Sequence, residues 1–160
     1  MAEPVRVLLV DDEEDFAEAV GFWLTSRGHR VSKARDGEQA LAMLKTDHFD
    51  VMFLDVMMPK LDGIETLRRL RSFNKTLPVI LVTASNLSDE NRYAGAKALG
   101  ISGLFPKGSS LDQLNAALEV ALRALKRPAA GSAPAAGAAK PGLLDSLRKA
   151  FGSLFPIKRG

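Results

Sequence analysis

Aspartates stand at three points in this chain where a carboxylate could do chemistry. Asp11 and Asp12 follow the apolar run from Val5 to Val10, and Asp55 closes another inside Leu54-Asp55-Val56-Met57-Met58-Pro59-Lys60-Leu61-Asp62-Gly63. Each has an ordinary explanation. Asp11-Asp12 would cap a helix and supply acidic first-turn residues, Asp55 would serve a Pro/Gly-containing turn, and Met57 and Met58 would fill core. Brought to one place, however, three carboxylates repel one another, which costs stability unless a cation sits among them. Magnesium suits such a set, being a hard ion that takes oxygen ligands and keeps several waters. A carboxylate beside Mg²⁺ can act as a nucleophile toward phosphorus, with a lysine and a hydroxyl completing a cradle for the phosphoryl oxygens. Thr83 and Lys107, each following a later apolar run, are the candidates for those two groups.

These residues meet only if the elements between them bring strand ends together. Strand-like runs at residues 5–10, 29–34, 51–54, 79–82 and 103–105 alternate with helical patterns. Continuous runs such as VLLV and VILV suit strands buried on both faces of a parallel sheet. Helical spacing recurs in Phe16, Val20, Trp23 and Leu24, in Leu41 and Leu44, in Ile64, Leu67 and Leu70, and from Leu111 through Leu125. Asp36 with Gln39, and Ser110 with Gln113, predict capping boxes; Gly28 and Gly100 stand where helices should stop. The stretch from Ser85 to Leu99, with its Asn, Ser, Asp and Gly, predicts a weak, mobile helix. The expected fold class is α/β, a doubly wound (βα)₅ flavodoxin-like parallel sheet. In such a sheet ligand chemistry belongs at the carboxyl ends of the strands, which gathers Asp11, Asp12, Asp55, Thr83 and Lys107.

Asp-Asp after the first strand, Asp in LDVMMPKLDG, Thr in VTAS and Lys after the fifth strand resemble the receiver domains of two-component response regulators. The resemblance runs from Val5 to about Lys126, and the order and spacing of the motifs make it specific. It implies a phosphoacceptor, with Asp55 taking a phosphoryl group from phosphohistidine on a histidine kinase or phosphotransfer protein. It further implies Mg²⁺ held by Asp11, Asp12, Asp55 and the backbone carbonyl of Met57, Thr83 bonding the phosphoryl group, and Lys107 pairing with a phosphoryl oxygen. Such a domain dephosphorylates itself and is not a turnover enzyme. Two positions depart from the family. Leu104 stands where an aromatic ring commonly lies three residues before the Lys; Phe105 is adjacent but should face the other side of the sheet. Gly108 stands where the family often has Pro after the Lys. Both departures touch the readout rather than the phosphorylation machinery.

Rival readings fit less well. A flavodoxin-like cofactor binder needs a Gly- and hydroxyl-rich phosphate loop after the first strand, where Asp11-Asp12-Glu13-Glu14-Asp15 would repel phosphate. An aspartate-nucleophile phosphatase usually offers a second Asp two residues after its nucleophile, where Met57 stands. A pseudo-receiver that only docks would not need all five polar positions. His29 and His48 read as surface histidines, Trp23 with Phe16 as core, and Arg68, Arg69 and Arg71 with Lys75 as a solvated basic face.

The absence of cysteine excludes disulfides and thiolate catalysis. Neither a signal peptide nor a span of ~18 apolar residues is visible, so a cytoplasmic location is expected. The net charge of +3 is uneven, with +4 in residues 128–160 and −1 in residues 1–127, so the main domain carries no nucleic-acid signature. The organisation expected is a receiver over 1–127, an Ala/Pro/Gly-rich linker over 128–141 and an amphipathic helical tail over 142–160. The residues after Arg127 are too few for a winged helix or a cyclase, which predicts a stand-alone, chemotaxis-type regulator with no DNA-binding domain. Leu143, Leu144, Leu147, Phe151, Leu154 and Phe155 share one helical arc. That arc predicts docking in a partner's groove; packing back on the receiver and binding a membrane surface are the alternatives.

Overall fold

In the computed structural model, residues 4–84 and 90–126 are described. The strands are β1 (Arg6–Val10), β2 (Arg30–Ala34), β3 (Val51–Asp55), β4 (Val79–Thr83) and β5 (Gly103–Pro106). The helices are α1 (Glu14–Ser26), α2 (Gly37–Thr46), α3 (Gly63–Arg71), α4 (Glu90–Ala98) and α5 (Leu111–Lys126). All strand pairs are parallel, in the order β2-β1-β3-β4-β5. The expected (βα)₅ sheet is therefore present.

Composition explains the layering. VMFLD and VILVT are buried at every position, as central strands covered on both faces must be, whereas edge strand RVSKA is fully buried only at Ala34. Phe53, Leu54, Ile80 and Leu81 meet Leu24, Leu67, Leu70, Leu114 and Leu118 from the helices in one core. Each large side chain so buried contributes about 1.5–3 kcal/mol. The chain leaves β1 in one direction toward β2 and returns across it to β3. The strand order thus reverses between β1 and β3, and a crevice opens at their carboxyl ends.

Local signals position these pieces as the sequence predicts. Asp36 accepts the Gln39 N–H at 2.7 Å, and Gln39 reaches back to the Arg35 N–H at 2.8 Å. Ser110 Oγ accepts the Gln113 N–H at 3.4 Å, and the Gln113 side chain accepts the N–H of Ser110 itself at 3.2 Å. Gly28 and Gly100 take positive φ of 90° and 82° just past α1 and α4, a conformation a Cβ would resist. The predicted weak helix forms as α4 over Glu90–Ala98, while residues 85–89 of that stretch lie outside the described residues. So do the linker over 128–141 and the tail over 142–160. No described helix is long and apolar enough to cross a membrane.

Two expectations need correction. His29 is buried, and its Nδ1 accepts the Val5 N–H at 3.3 Å. Burial, then the Arg27 charge, holds its pKa below the usual histidine range, so it is a neutral core group rather than a surface one. Arg71 is not solvated with its neighbours. It donates to the carbonyls of Leu99 (2.8 Å), Asn74 (3.1 Å), Leu77 (2.8 Å) and Gly100 (2.7 Å), tying the turn after α4 to the loop after α3.

Candidate functional site

Parallel register delivers the acidic residues. Val10 pairs with Leu54, so the residues that follow, Asp11 and Asp55, emerge at the same level of the sheet. The Asp11 N–H is held by the Ala34 carbonyl at 3.1 Å, and the Val56 N–H by the Val82 carbonyl at 3.0 Å. Asp11 and Asp55 are 3% and 1% exposed, while Asp12 faces solvent. Oxygens of Asp11, Asp12 and Asp55 lie within 4.8 Å of one another.

Lys107 answers that charge from the end of the sheet's other half. Its N–H bonds the Thr83 carbonyl at 2.8 Å, fixing where the side chain starts. Its Nζ donates to Asp11 Oδ1 at 3.2 Å and Asp55 Oδ2 at 3.3 Å. It also lies 3.1 Å from Glu13 Oε1 and 5.0 Å from the centre of the Phe16 ring. Burial alone would lower the lysine pKa, but hydrogen bonds to Asp11 and Glu13 and the charges of Asp55 and Asp11 outweigh it and hold it above the usual range. The ammonium stays charged.

Asp55 is pushed up to about 7, first by burial and then by the Asp11 charge, against the pull of Lys107 and the Met57 N–H. That N–H donates to Asp55 Oδ1 at 3.2 Å, so the backbone of Met57 is anchored beside the carboxylate while its side chain is exposed. One lysine does not neutralise this cluster. Gly63 closes its floor: a Cβ there would stand 2.2 Å from the Asp55 carbonyl oxygen, so only glycine lets α3 begin this close to β3. Asp62 caps that helix by accepting the Glu65 N–H at 2.8 Å.

Two buried side-chain oxygens among the described residues have no hydrogen-bond partner, Asp11 Oδ2 and Thr83 Oγ1. Asp11 Oδ2 is 3.0 Å from Lys107 Nζ, an ion pair that lacks hydrogen-bond geometry. An unsatisfied buried polar group costs about 1–3 kcal/mol. Both orphans belong to this site, one on the carboxylate side and one at the end of β4. The donor set is all-oxygen, partly exposed and only partly neutralised, which fits Mg²⁺.

Asp11, Asp12, Asp55 and Lys107 are therefore together, Met57 is in the adjoining turn, and Thr83 ends the strand beside β3. Leu104 and Phe105 are both buried at successive positions of β5, so they pack on opposite faces and Phe105 does not replace Leu104. No cis peptide bond occurs among the described residues, so the Lys107–Gly108 linkage is trans. The sequence reading missed Glu13 and Phe16. Glu13 was hidden in an acidic run, and the only signal was a Glu at a position where helix caps favour shorter side chains.

The family model of the response regulator receiver domain matches residues 7–119. Response regulator MprA of Mycolicibacterium vanbaalenii is 41% identical over 120 residues, covering 75% of this chain and 51% of the relative. MprA of Mycobacterium ulcerans is 41% identical over 122 residues, covering 76% and 52%. The chain thus spans about half the length of the curated relatives it matches. Among solved structures, the receiver domain of Francisella response regulator 1452 is 34% identical with a TM-score of 0.68, covering 76% of this chain and 99% of that one. Chemotaxis response regulator CheY4 of Vibrio cholerae is 31% identical with a TM-score of 0.68, covering 75% and 100%. With its reversed parallel sheet, its strand-end carboxylates and the lysine that joins them, this chain belongs to the response-regulator receiver domain family.

Proposed function

We propose that this receiver accepts a phosphoryl group on Asp55 from phosphohistidine on a histidine kinase or phosphotransfer protein, and switches its protein contacts as a result. The observation that carries the reading is the buried, underneutralised Asp55, joined through Lys107 to Asp11 and flanked by orphaned oxygens of Asp11 and Thr83. A carboxylate oxygen of Asp55 attacks phosphorus, the phosphorus–nitrogen bond breaks, and the imidazole leaves with the electron pair. Asp11, Asp12, Asp55 and the Met57 carbonyl would hold Mg²⁺, which when bound supplies charge neutralisation for the phosphoryl oxygens. Lys107 pairs with a phosphoryl oxygen, and the unpartnered Thr83 hydroxyl donates to another. Water later hydrolyses the acyl phosphate, so the domain is a timed acceptor rather than a turnover enzyme.

A cytoplasmic location is part of this proposal, as is output through the tail residues Leu143, Leu144, Leu147, Phe151, Leu154 and Phe155. Incubation with a phosphohistidine protein should give a base- and hydroxylamine-labile phosphate on the wild type and none on Asp55→Asn. Full labelling of the variant would sink the assignment.

A further inference from the structure

We propose that Glu13 is a positioning residue that holds the Lys107 ammonium at the mouth of the site and must release it when a phosphoryl group arrives. This rests on the phosphoacceptor reading above.

Glu13 is the N-cap of α1, with φ −79° and ψ 103°. Caps there favour Ser, Thr, Asp or Asn, whose short side chains accept a first-turn N–H. Glu13 makes no such bond. Its backbone is nonetheless tightly held: its N–H donates to Asp11 Oδ1 at 2.8 Å, and its carbonyl accepts the Ala17 N–H at 3.0 Å. The side chain therefore starts from a fixed point beside the site, and Oε1 ends 3.1 Å from Lys107 Nζ.

An ammonium has three N–H donors. Around Nζ stand three carboxylates, Asp11, Glu13 and Asp55, with the Phe16 ring packed against it. A phosphoryl oxygen gains Lys107 only if one of them lets go. The Asp11 and Asp55 side chains are each 1% exposed and fixed by backbone N–H groups, whereas the Glu13 side chain is 62% exposed. Glu13 alone of the three can turn into water cheaply, so it is the ligand that yields. Until it does, Lys107 is withheld from the incoming donor, and the grip of Glu13 sets the threshold for phosphorylation.

A partly exposed ion pair of this kind governs a modest factor, about two- to fivefold in rate. The test is the second-order rate of Asp55 phosphorylation by a small acyl phosphate, with Mg²⁺, for wild type, Glu13→Gln and Glu13→Asp. Glu13→Gln should react two- to fivefold faster, and the difference should shrink at high salt. Glu13→Asp keeps the charge but is one methylene shorter and is drawn to the first-turn N–H as an ordinary cap. It should react as fast as Glu13→Gln. A Glu13→Asp rate equal to wild type beside a faster Glu13→Gln would show that net charge alone matters, and would overturn the inference. Variants that match wild type, or react more slowly, would overturn it as well. A wild type that takes no phosphate at Asp55 would instead remove the phosphoacceptor reading on which this rests.

Discussion

Replacing Asp55 by Asn removes a carboxylate that the folded protein holds uncomfortably, and the effect on stability should depend on pH with a definite sign. Burial and Asp11 raise its pKa from 3.8 to about 7. The folded state therefore binds this proton more tightly than the unfolded chain does. Between pH 3.8 and about 7 the wild type should lose stability as pH rises, by at most about 1.4 kcal/mol per unit, and level off above the folded pKa. The side chain is fully enclosed, so solvent screening removes little of this. Across pH 5 to 8 the advantage of Asp55→Asn should widen by about 2–3 kcal/mol, about 5–10 °C in Tm for a domain this size. The assay is urea unfolding of both proteins in chelator at several pH values. Differences between the curves report Asp55 together with its coupling to Asp11, because His29 and the remote groups are common to both. Adding Mg²⁺ should narrow the gap at pH 8, since a cation favours the ionised form. Parallel stability curves from pH 5 to 8 would refute the claim that burial and Asp11 strain Asp55.

Mg²⁺ should raise the melting temperature of the wild type, as any ligand of the native state does, and Asp12→Ala should lose most of the rise; calorimetry with and without the ion checks this. Gly63→Ala would place a Cβ 2.2 Å from the Asp55 carbonyl and 2.8 Å from the Val56 Cα. It should cost about 3 kcal/mol in denaturant unfolding, and a neutral result would mean that α3 is free to move away from β3. Leu104 offers no ring to lock a shifted state, so a stable phosphoryl mimic should change hydrogen exchange less over residues 99–106 than over residues 55–63. Equal protection in both would contradict that.

The fold was legible because its signals are local or periodic. VMFLD and VILVT announce central strands, Asp36 and Ser110 announce helix starts, and Gly28 and Gly100 announce stops. Once five parallel strands follow from that pattern, their carboxyl ends meet by geometry, which is why the sequence alone groups Asp11, Asp12, Asp55 and Lys107. What stayed hidden depends on where distant loops arrive. His29 is buried because the start of β1 comes to lie over it, 24 positions away in the chain. Arg71 looks like one more surface cation until the carbonyls of Leu99 and Gly100 come within its reach. Glu13 looked like one acid in a run, and only the position of Lys107 gives it a separate role.

The most direct test of the account is mass-spectrometric mapping of the chain after treatment with a small phosphodonor, with and without Mg²⁺. One phosphoryl group should appear, on the peptide containing Asp55, only when Mg²⁺ is present, and it should be absent from Asp55→Asn. A phosphoryl group on another residue, or one gained equally in chelator, would contradict it.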